Sequence, residues 1–269
     1  MLIVLGLSFF SWDGLDTPRW TGIDNWTRFM RDSVTHNAIW LSIKVMIFSW
    51  LLQTPISMLL GVYLAGKQRN RAVLAAVYIL PLLLSAAAIG ITWKSLLDPN
   101  FGLLGITGDV FGIPALRQDW LGNGDLALYV VVFVIGWQFI PFHTLLYQAA
   151  TRQIPQSLYE AASIDGAGPV RKFASITFPQ LRYTMVTSST LILVGSLTYF
   201  DLVFVITHGG PGHATRILPL DMYVNGFESY HMGYASAIAV VLVLFGVAVS
   251  MLLVKLSGFT KMRSRMEGV

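Results

Sequence analysis

The sequence contains no cysteine, so disulfides, thiolate metal centres and cysteine nucleophiles are excluded. It is also poor in charge. Asp, Glu, Lys and Arg make up 12% of its 269 residues, whereas soluble domains carry about 25%. No G-x-x-x-x-G-K-[ST] stretch is present, so the chain does not cradle a nucleotide phosphate in that way. It has no His-Glu-x-x-His, no paired acids inside an apolar segment and no Ser–His arrangement with an oxyanion loop, which removes the usual intramembrane hydrolases. Basic residues are not interleaved with aromatics on one polar face, so a nucleic-acid partner is not expected. His208 and His213 flank a Gly-rich turn. Two lone histidines make a poor metal site, and none is expected.

What the chain has is long apolar runs. Its residues are 55% apolar, with a mean hydropathy of +0.64. Crossing a bilayer takes about 20 apolar residues. Segments 37–66, 72–97, 126–150, 183–206 and 233–257 meet that requirement. Segment 1–12, MLIVLGLSFFSW, is about half a span and lacks the small-residue cleavage site of a signal peptide. It reads as the outer half of a first helix whose inner half is missing. The expected fold is an all-α polytopic bundle of about five to six transmembrane helices, a single transmembrane domain over 1–269. Pro55, Pro81 and Pro141 fall inside spans, where each removes a helix hydrogen bond and favours a kink.

The loops orient the bundle. Lys67, Arg69 and Arg71, then Arg152, Arg171, Lys172 and Arg182, then Lys255, Lys261, Arg263 and Arg265 lie on one side. Only Glu160, Asp165 and Glu267 oppose them there. The acids Asp13, Asp16, Asp24, Asp32, Asp98, Asp109, Asp119, Asp125, Asp221 and Glu228 lie on the other. Retained Lys and Arg mark the cytoplasm, so loop 151–180 and the C-terminal tail are expected inside and 207–232 outside. Lys44 and Lys94, near outer span ends, can snorkel.

Loop 151–180, TRQIPQSLYEAASIDGAGPVRKFASITFPQ, is far more polar than the apolar segments on either side of it. Pro155 suits a first helical turn, so Gln156–Ile164 reads as a short helix. Asp165-Gly166 ends it, because glycine takes the left-handed conformation common at helix C-termini. Pro169 starts a second helix to about Thr177, and Pro179 is expected to close it. Helix, Gly turn, helix, with Glu160, Ala161 and Ala162 on the first member, makes a surface that another backbone can approach closely. A solvated connector packed only on its own bundle fits the same composition.

The string EAASIDGAGPVRKFASITFPQL resembles the EAA loop of permease subunits of bacterial binding-protein-dependent ABC importers. The matching positions are Glu160, Ala161, Ala162, Asp165, Gly166, Ala167, Phe173, Ile176 and Pro179. THGGPGHAT with YVNGFESYHMGYASAIAVVL resembles the outer loop and last helix of the carbohydrate-uptake branch, typified by the maltose transporter. LSFFSWDGLDTPRWTGIDNWTRFMRD resembles the segment after the first helix in that branch. Tyr183 stands where relatives usually carry a proline. The resemblance implies a multi-pass protein of the bacterial inner membrane, with Glu160, Ala161, Ala162, Asp165, Gly166 and Ala167 coupling to an ATPase. It also implies partners: a second homologous permease, a cytoplasmic ATPase dimer that holds the ATP and Mg²⁺, and an extracytoplasmic sugar-binding protein. No cofactor is expected on this chain itself. Permeases for a polyamine or an oxyanion, and a membrane scaffold that only recruits a soluble protein, remain open alternatives.

A sugar path needs hydrogen-bonding groups and aromatic faces at membrane depth, where polar side chains face a cavity or a partner helix. Trp137, Gln138, Phe142, Ser196, Tyr199 and Asp201 are the candidates, and Asp201 is the only acid within a span. The Ser and Thr hydroxyls, including Ser188, Ser189, Thr190 and Thr198, also suit helix–helix packing. His143 reads as an interhelical hydrogen-bonding residue. Gly209, Gly210, Pro211 and His213 form the outer turn expected to meet the binding protein.

Overall fold

Helices carry almost all of the structure because in lipid each backbone N–H and C=O has to be satisfied within its own segment. The computed structural model describes residues 1–66 and 69–257. Lys67 and the tail residues Lys261, Arg263, Arg265 and Glu267, used above for orientation, lie outside the described residues.

The chain opens with α1 (Leu2–Leu7), a two-residue hairpin of β1 (Phe10–Ser11) and β2 (Arg19–Trp20) in antiparallel register, and α2 (Asp24–Arg31). Segment 1–12 is therefore helical only at its start. Phe9 and Phe10 pack on Trp20, at ring centroid distances of 5.9 and 5.1 Å. The Trp12 carbonyl accepts the Met232 amide at 2.9 Å. The hairpin thus closes over the start of α15 (Met232–Ser257), where a side chain on Gly233 would run into the Phe10 carbonyl.

Three described helices are long and apolar enough to cross a membrane. The first is α3 (Ser33–Leu64), which begins four residues before the apolar run because Asp32 caps it. Its Oδ1 accepts the Val34 and Thr35 amides at 2.9 and 3.3 Å, as an N-cap acid does. Pro55 lies inside this continuous helix. The second is α8 (Ala127–Arg152), which contains Pro141, and the third is α15. An added Cβ on Gly61 would sit 2.5 Å from Tyr147 Cβ, so α3 and α8 pack at the close approach that small residues allow in membranes. At the far end Gln148 Nε2 donates to the Leu64 carbonyl at 2.8 Å, covering one of the orphan acceptors at the end of α3.

The expected spans 72–97 and 183–206 are each broken. The first is α4 (Arg69–Tyr78), α5 (Leu80–Leu83) and α6 (Ala86–Leu96), with a 98° bend between its halves. Pro81 opens α5, and Ser85 stops the chain in an extended conformation and caps α6, its Oγ accepting the Ala88 amide at 3.2 Å. The second is α12 (Arg182–Gly195) and α13 (Phe200–Thr207), bent by 50° around a short 3₁₀ turn at Ser196–Thr198. There the Ser196 and Thr198 hydroxyls donate to carbonyls three residues back, Leu193 and Gly195, each at 2.7 Å. Such back-bonding competes with the helix and bends it. With each bent pair counted as one span, the described residues hold up to five.

The core lies where α3, α8, α6 and α13 meet, around Val45, Ile89, Val131, Ile135, Val203 and Ile206. By contrast α15 keeps much of its length outward, with Leu244, Met251 and Leu252 more than half exposed, as a lipid-facing helix would. Outside the bundle, α7 (Leu103–Phe111) and a 3₁₀ turn at Pro114–Arg117 link α6 to α8.

Candidate functional site

Three places carry polar groups in organised form. The first is loop 151–180. Here α9 spans Gln156–Ile164 behind Pro155, as its sequence implies. Its end is a Schellman motif. The Ala167 amide donates to the Ala162 carbonyl at 2.8 Å and the Gly166 amide to that of Ser163 at 3.1 Å, with Gly166 at φ +73°. Glu160, Ala161, Asp165 and Gly166 are exposed, while Ala162 and Ala167 are half-buried. Ile164 and Val170, 88% and 81% exposed, form an apolar tip.

Beyond the turn the structure corrects one expectation. Pro179 does not end the second helix. α10 (Pro169–Lys172) runs through a π turn at Phe173–Thr177 into α11 (Phe178–Gln180). Proline has no N–H to give to the ladder. The π turn, in which the Phe178 amide reaches back five residues to the Phe173 carbonyl, accommodates that gap without stopping the helix. The Tyr159 hydroxyl pairs with Thr177 Oγ1 at 2.8 Å, and Lys172 Nζ donates to Ser163 Oγ at 2.7 Å. Both helices of the loop therefore form one unit.

The second place is a cavity of about 380 Å³ at the two span breaks. Gln138, Phe142, Tyr199 and Asp201 line it, together with Phe139, His143 and Thr198. Phe139 and Tyr199 stack with centroids 5.2 Å apart; Phe139 went unrecognised in the sequence because an aromatic in a span is indistinguishable there from core. Asp201 is exposed and lies in the first turn of α13. Trp137 and Ser196 do not line this cavity. Trp137 meets Trp93 edge-on at 5.5 Å, and Ser196 is buried against its own helix. His143 Nδ1 and Ser188 Oγ lie 2.9 Å apart, an interhelical hydrogen bond. Trp50 Nε1 donates to Ser189 Oγ at 2.8 Å.

The third place is the outer end. The turn 207–215 folds on itself. The Thr207 and Thr215 hydroxyls pair at 2.7 Å, Thr215 donates to the Gly210 carbonyl at 2.8 Å, and Gly209 and Gly212 take φ of +85° and +57°. Gly209 is buried, Gly210 and Pro211 are half-buried, and His213 is exposed. Beneath this turn lies a network that sequence reasoning missed. Asp221, on α14 (Leu218–Tyr223), is fully buried and accepts from Arg216 Nε at 2.8 Å and Thr35 Oγ1 at 2.7 Å. The Tyr234 hydroxyl lies 2.9 Å from Thr35 Oγ1 and donates to Asp32 at 3.0 Å, with the Arg28 guanidinium 4.1 Å over its ring. Burial pushes the Asp32 carboxyl up. The hydrogen bonds from Tyr234, Thr35 and Val34, with Arg28 nearby, outweigh it and leave the group below its ordinary range. The signal available beforehand was an acid embedded in ILPLDMY.

A bundle with two broken spans around a cavity, and one ordered helix–turn–helix at the ends of α3 and α8, defines a polytopic membrane protein. Residues 53–258 match the family described as binding-protein-dependent transport system inner membrane component, and the chain belongs to that family. It is 32% identical over 248 residues to a probable ABC transporter permease of Pyrococcus horikoshii, covering 90% of this chain and 84% of that protein. It is 30% identical to the multiple sugar-binding transport system permease protein MsmF of Streptococcus mutans, covering 93% and 86%. Its fold resembles a chain in the crystal structure of a bacterial ABC transporter involved in the import of the acidic polysaccharide alginate. The TM-score there is 0.83 at 19% identity, over 95% of this chain and 88% of that one.

Proposed function

We propose that this chain is the permease subunit of an ATP-driven importer that moves a sugar or oligosaccharide across the bacterial cytoplasmic membrane by alternating access. The observation that carries the reading is the cavity between the breaks of two spans, where the Phe139–Tyr199 stack, the Gln138 amide and the Asp201 carboxylate converge. Flat aromatic faces and hydroxyl-bonding groups are what a pyranose ring needs. The sugar permease named among the relatives supports the same class. Broken spans supply elements with two packings, and ATP binding to a partner would shift their equilibrium.

In this reading Glu160, Ala161, Ala162, Asp165, Gly166 and Ala167 engage a cytoplasmic ATPase dimer, which holds ATP and Mg²⁺. The outer turn Gly209–His213 meets an extracytoplasmic sugar-binding protein, and a second homologous permease completes the path. Purified and reconstituted alone, the chain should neither transport sugar nor hydrolyse ATP; transport by the isolated chain would refute the assembly. In the full complex, Tyr199→Ala should cut sugar uptake about five- to tenfold while leaving the ATPase bound, as loss of an aromatic platform of about 1–1.5 kcal/mol predicts. Undiminished uptake by Tyr199→Ala would remove the cavity from the path.

Orientation has a separate test, simplified by the absence of cysteine. Ser157 and His213 are both exposed. His213→Cys should react with an impermeant maleimide in intact cells, and Ser157→Cys should react only after the cells are opened. Labelling of Ser157→Cys in intact cells would invert the bundle.

A further inference from the structure

The space under loop 151–180 is a second cavity, about 880 Å³, enclosed by the last turns of α3 and α8 and by the inner side of the loop. We propose that it binds the headgroup of an anionic phospholipid of the inner leaflet. The proposal rests on the cytoplasmic placement of the loop argued above.

Two cations line this cavity, Arg152 and Lys172. Arg152 gives its Nε to the Ala65 carbonyl at 3.4 Å, and Lys172 gives one proton to Ser163 Oγ at 2.7 Å. Neither is in an ion pair among the described residues, although Glu160 lines the same cavity. The guanidinium therefore keeps terminal N–H groups, in the fork geometry that suits a phosphate. The ammonium keeps two further donors. Thr151 and Gln156 add neutral polar groups, and Val62, Ile154 and Phe173 line the same space as an apolar wall. Both α3 and α8 end here, at Leu64 and Arg152. The cavity thus opens where two membrane-crossing helices end, combining cations with apolar surface as a lipid site between helix ends does.

An acidic side chain of the ATPase is the competing occupant. Of the loop residues assigned to the ATPase only Glu160 borders this cavity, and a carboxylate does not draw in a second one; the exposed tip, Ile164 and Val170, lines no part of it. The cations lie on the side facing the bundle, which favours lipid.

The test uses the whole permease–ATPase complex in phosphatidylcholine nanodiscs with a rising fraction of phosphatidylglycerol, and native mass spectrometry counts the retained anionic lipid. The wild type should show a saturable phosphatidylglycerol. The double variant Arg152→Gln/Lys172→Gln should need about thirtyfold more of it, from roughly 1 kcal/mol per cation. Arg152→Lys alone should retain most of the binding. Equal retention by wild type and double variant would overturn the proposal while leaving the transport reading intact. Weaker ATPase binding by the double variant in pure phosphatidylcholine would assign the cations to the ATPase instead. Competition by millimolar inorganic phosphate would mean a free-anion site and would also overturn it. A wild-type complex that fails to hold its ATPase in any lipid would count against the proposed function, not against this site alone.

Discussion

Replacing Gly166 by valine should abolish uptake by the assembled transporter while the protein still reaches the membrane in normal amount. The reason lies in the backbone. Gly166 sits at φ +73°, and a Cβ added there meets nothing within 4 Å. No clash is created, so what valine loses is the left-handed conformation itself, which costs an ordinary residue about 1–2 kcal/mol and a β-branched one more. The chain can escape by leaving that conformation. The bonds from Ala167 to Ala162 and from Gly166 to Ser163 then break, and α9 no longer points where the Tyr159–Thr177 and Lys172–Ser163 contacts hold it. The turn at Asp165 and Gly166 is exposed, so the bundle should tolerate this change; a partner seated on the loop should not. Asparagine visits the left-handed region readily, so Gly166→Asn should keep substantial uptake. Transport assays alongside immunoblots of membrane fractions would decide it, and normal uptake by Gly166→Val would exclude the loop from coupling.

The loop was legible because its signals are local. Pro155 before a helix and Gly166 after it act on their own neighbours, and the sequence needs no tertiary information to be read there. The unbroken spans were legible for the same reason: in lipid, apolar length and helix coincide. The broken ones were not, because apolarity does not register where a helix stops. Pro55 and Pro141 lie inside continuous helices, whereas the breaks occur at Ser85, a cap, and at Ser196–Thr198, a run of hydroxyls bonded back to the backbone. Pro179 misled in the same way, since a π turn five residues long absorbed it. The cavity was partly legible. Gln138, Tyr199 and Asp201 are unusual at membrane depth, but Phe139 is not. Trp137, one residue from Gln138, points to Trp93 and not into the cavity. The outer network was hidden because its members lie far apart along the chain: Arg28, Asp32 and Thr35, then Arg216 and Asp221, then Tyr234.

That network should dominate the stability of the outer end. Asp221 has no exposed surface and holds Arg216, Thr35 and Asn225 together, and Arg216 itself is 17% exposed at its side chain. Removing one partner of a buried ion pair leaves the other charge uncompensated, at a cost of about 3–5 kcal/mol. Asp221→Ala should therefore lower the thermal midpoint of the detergent-solubilised complex by several degrees. Thr35→Val, which deletes one neutral hydrogen bond, should cost about 1 kcal/mol. The decisive comparison is the pair Arg216→Met with Asp221→Leu. If burial of an unpaired charge is the damage, removing both charges should recover much of what Asp221→Ala loses, because apolar replacements of a buried pair are often neutral. Destabilisation of the double variant equal to the sum of the two single changes would mean that the groups act independently. The same measurements separate stability from function. α14 follows directly on the turn 207–215, and Thr35 and Asp32 lie at the start of α3. Loosening that junction should disturb whatever docks on the turn before it disturbs the loop on the opposite face. A double variant that regains most of the lost stability but responds weakly to the binding protein, with its ATPase still bound, is the result this arrangement predicts.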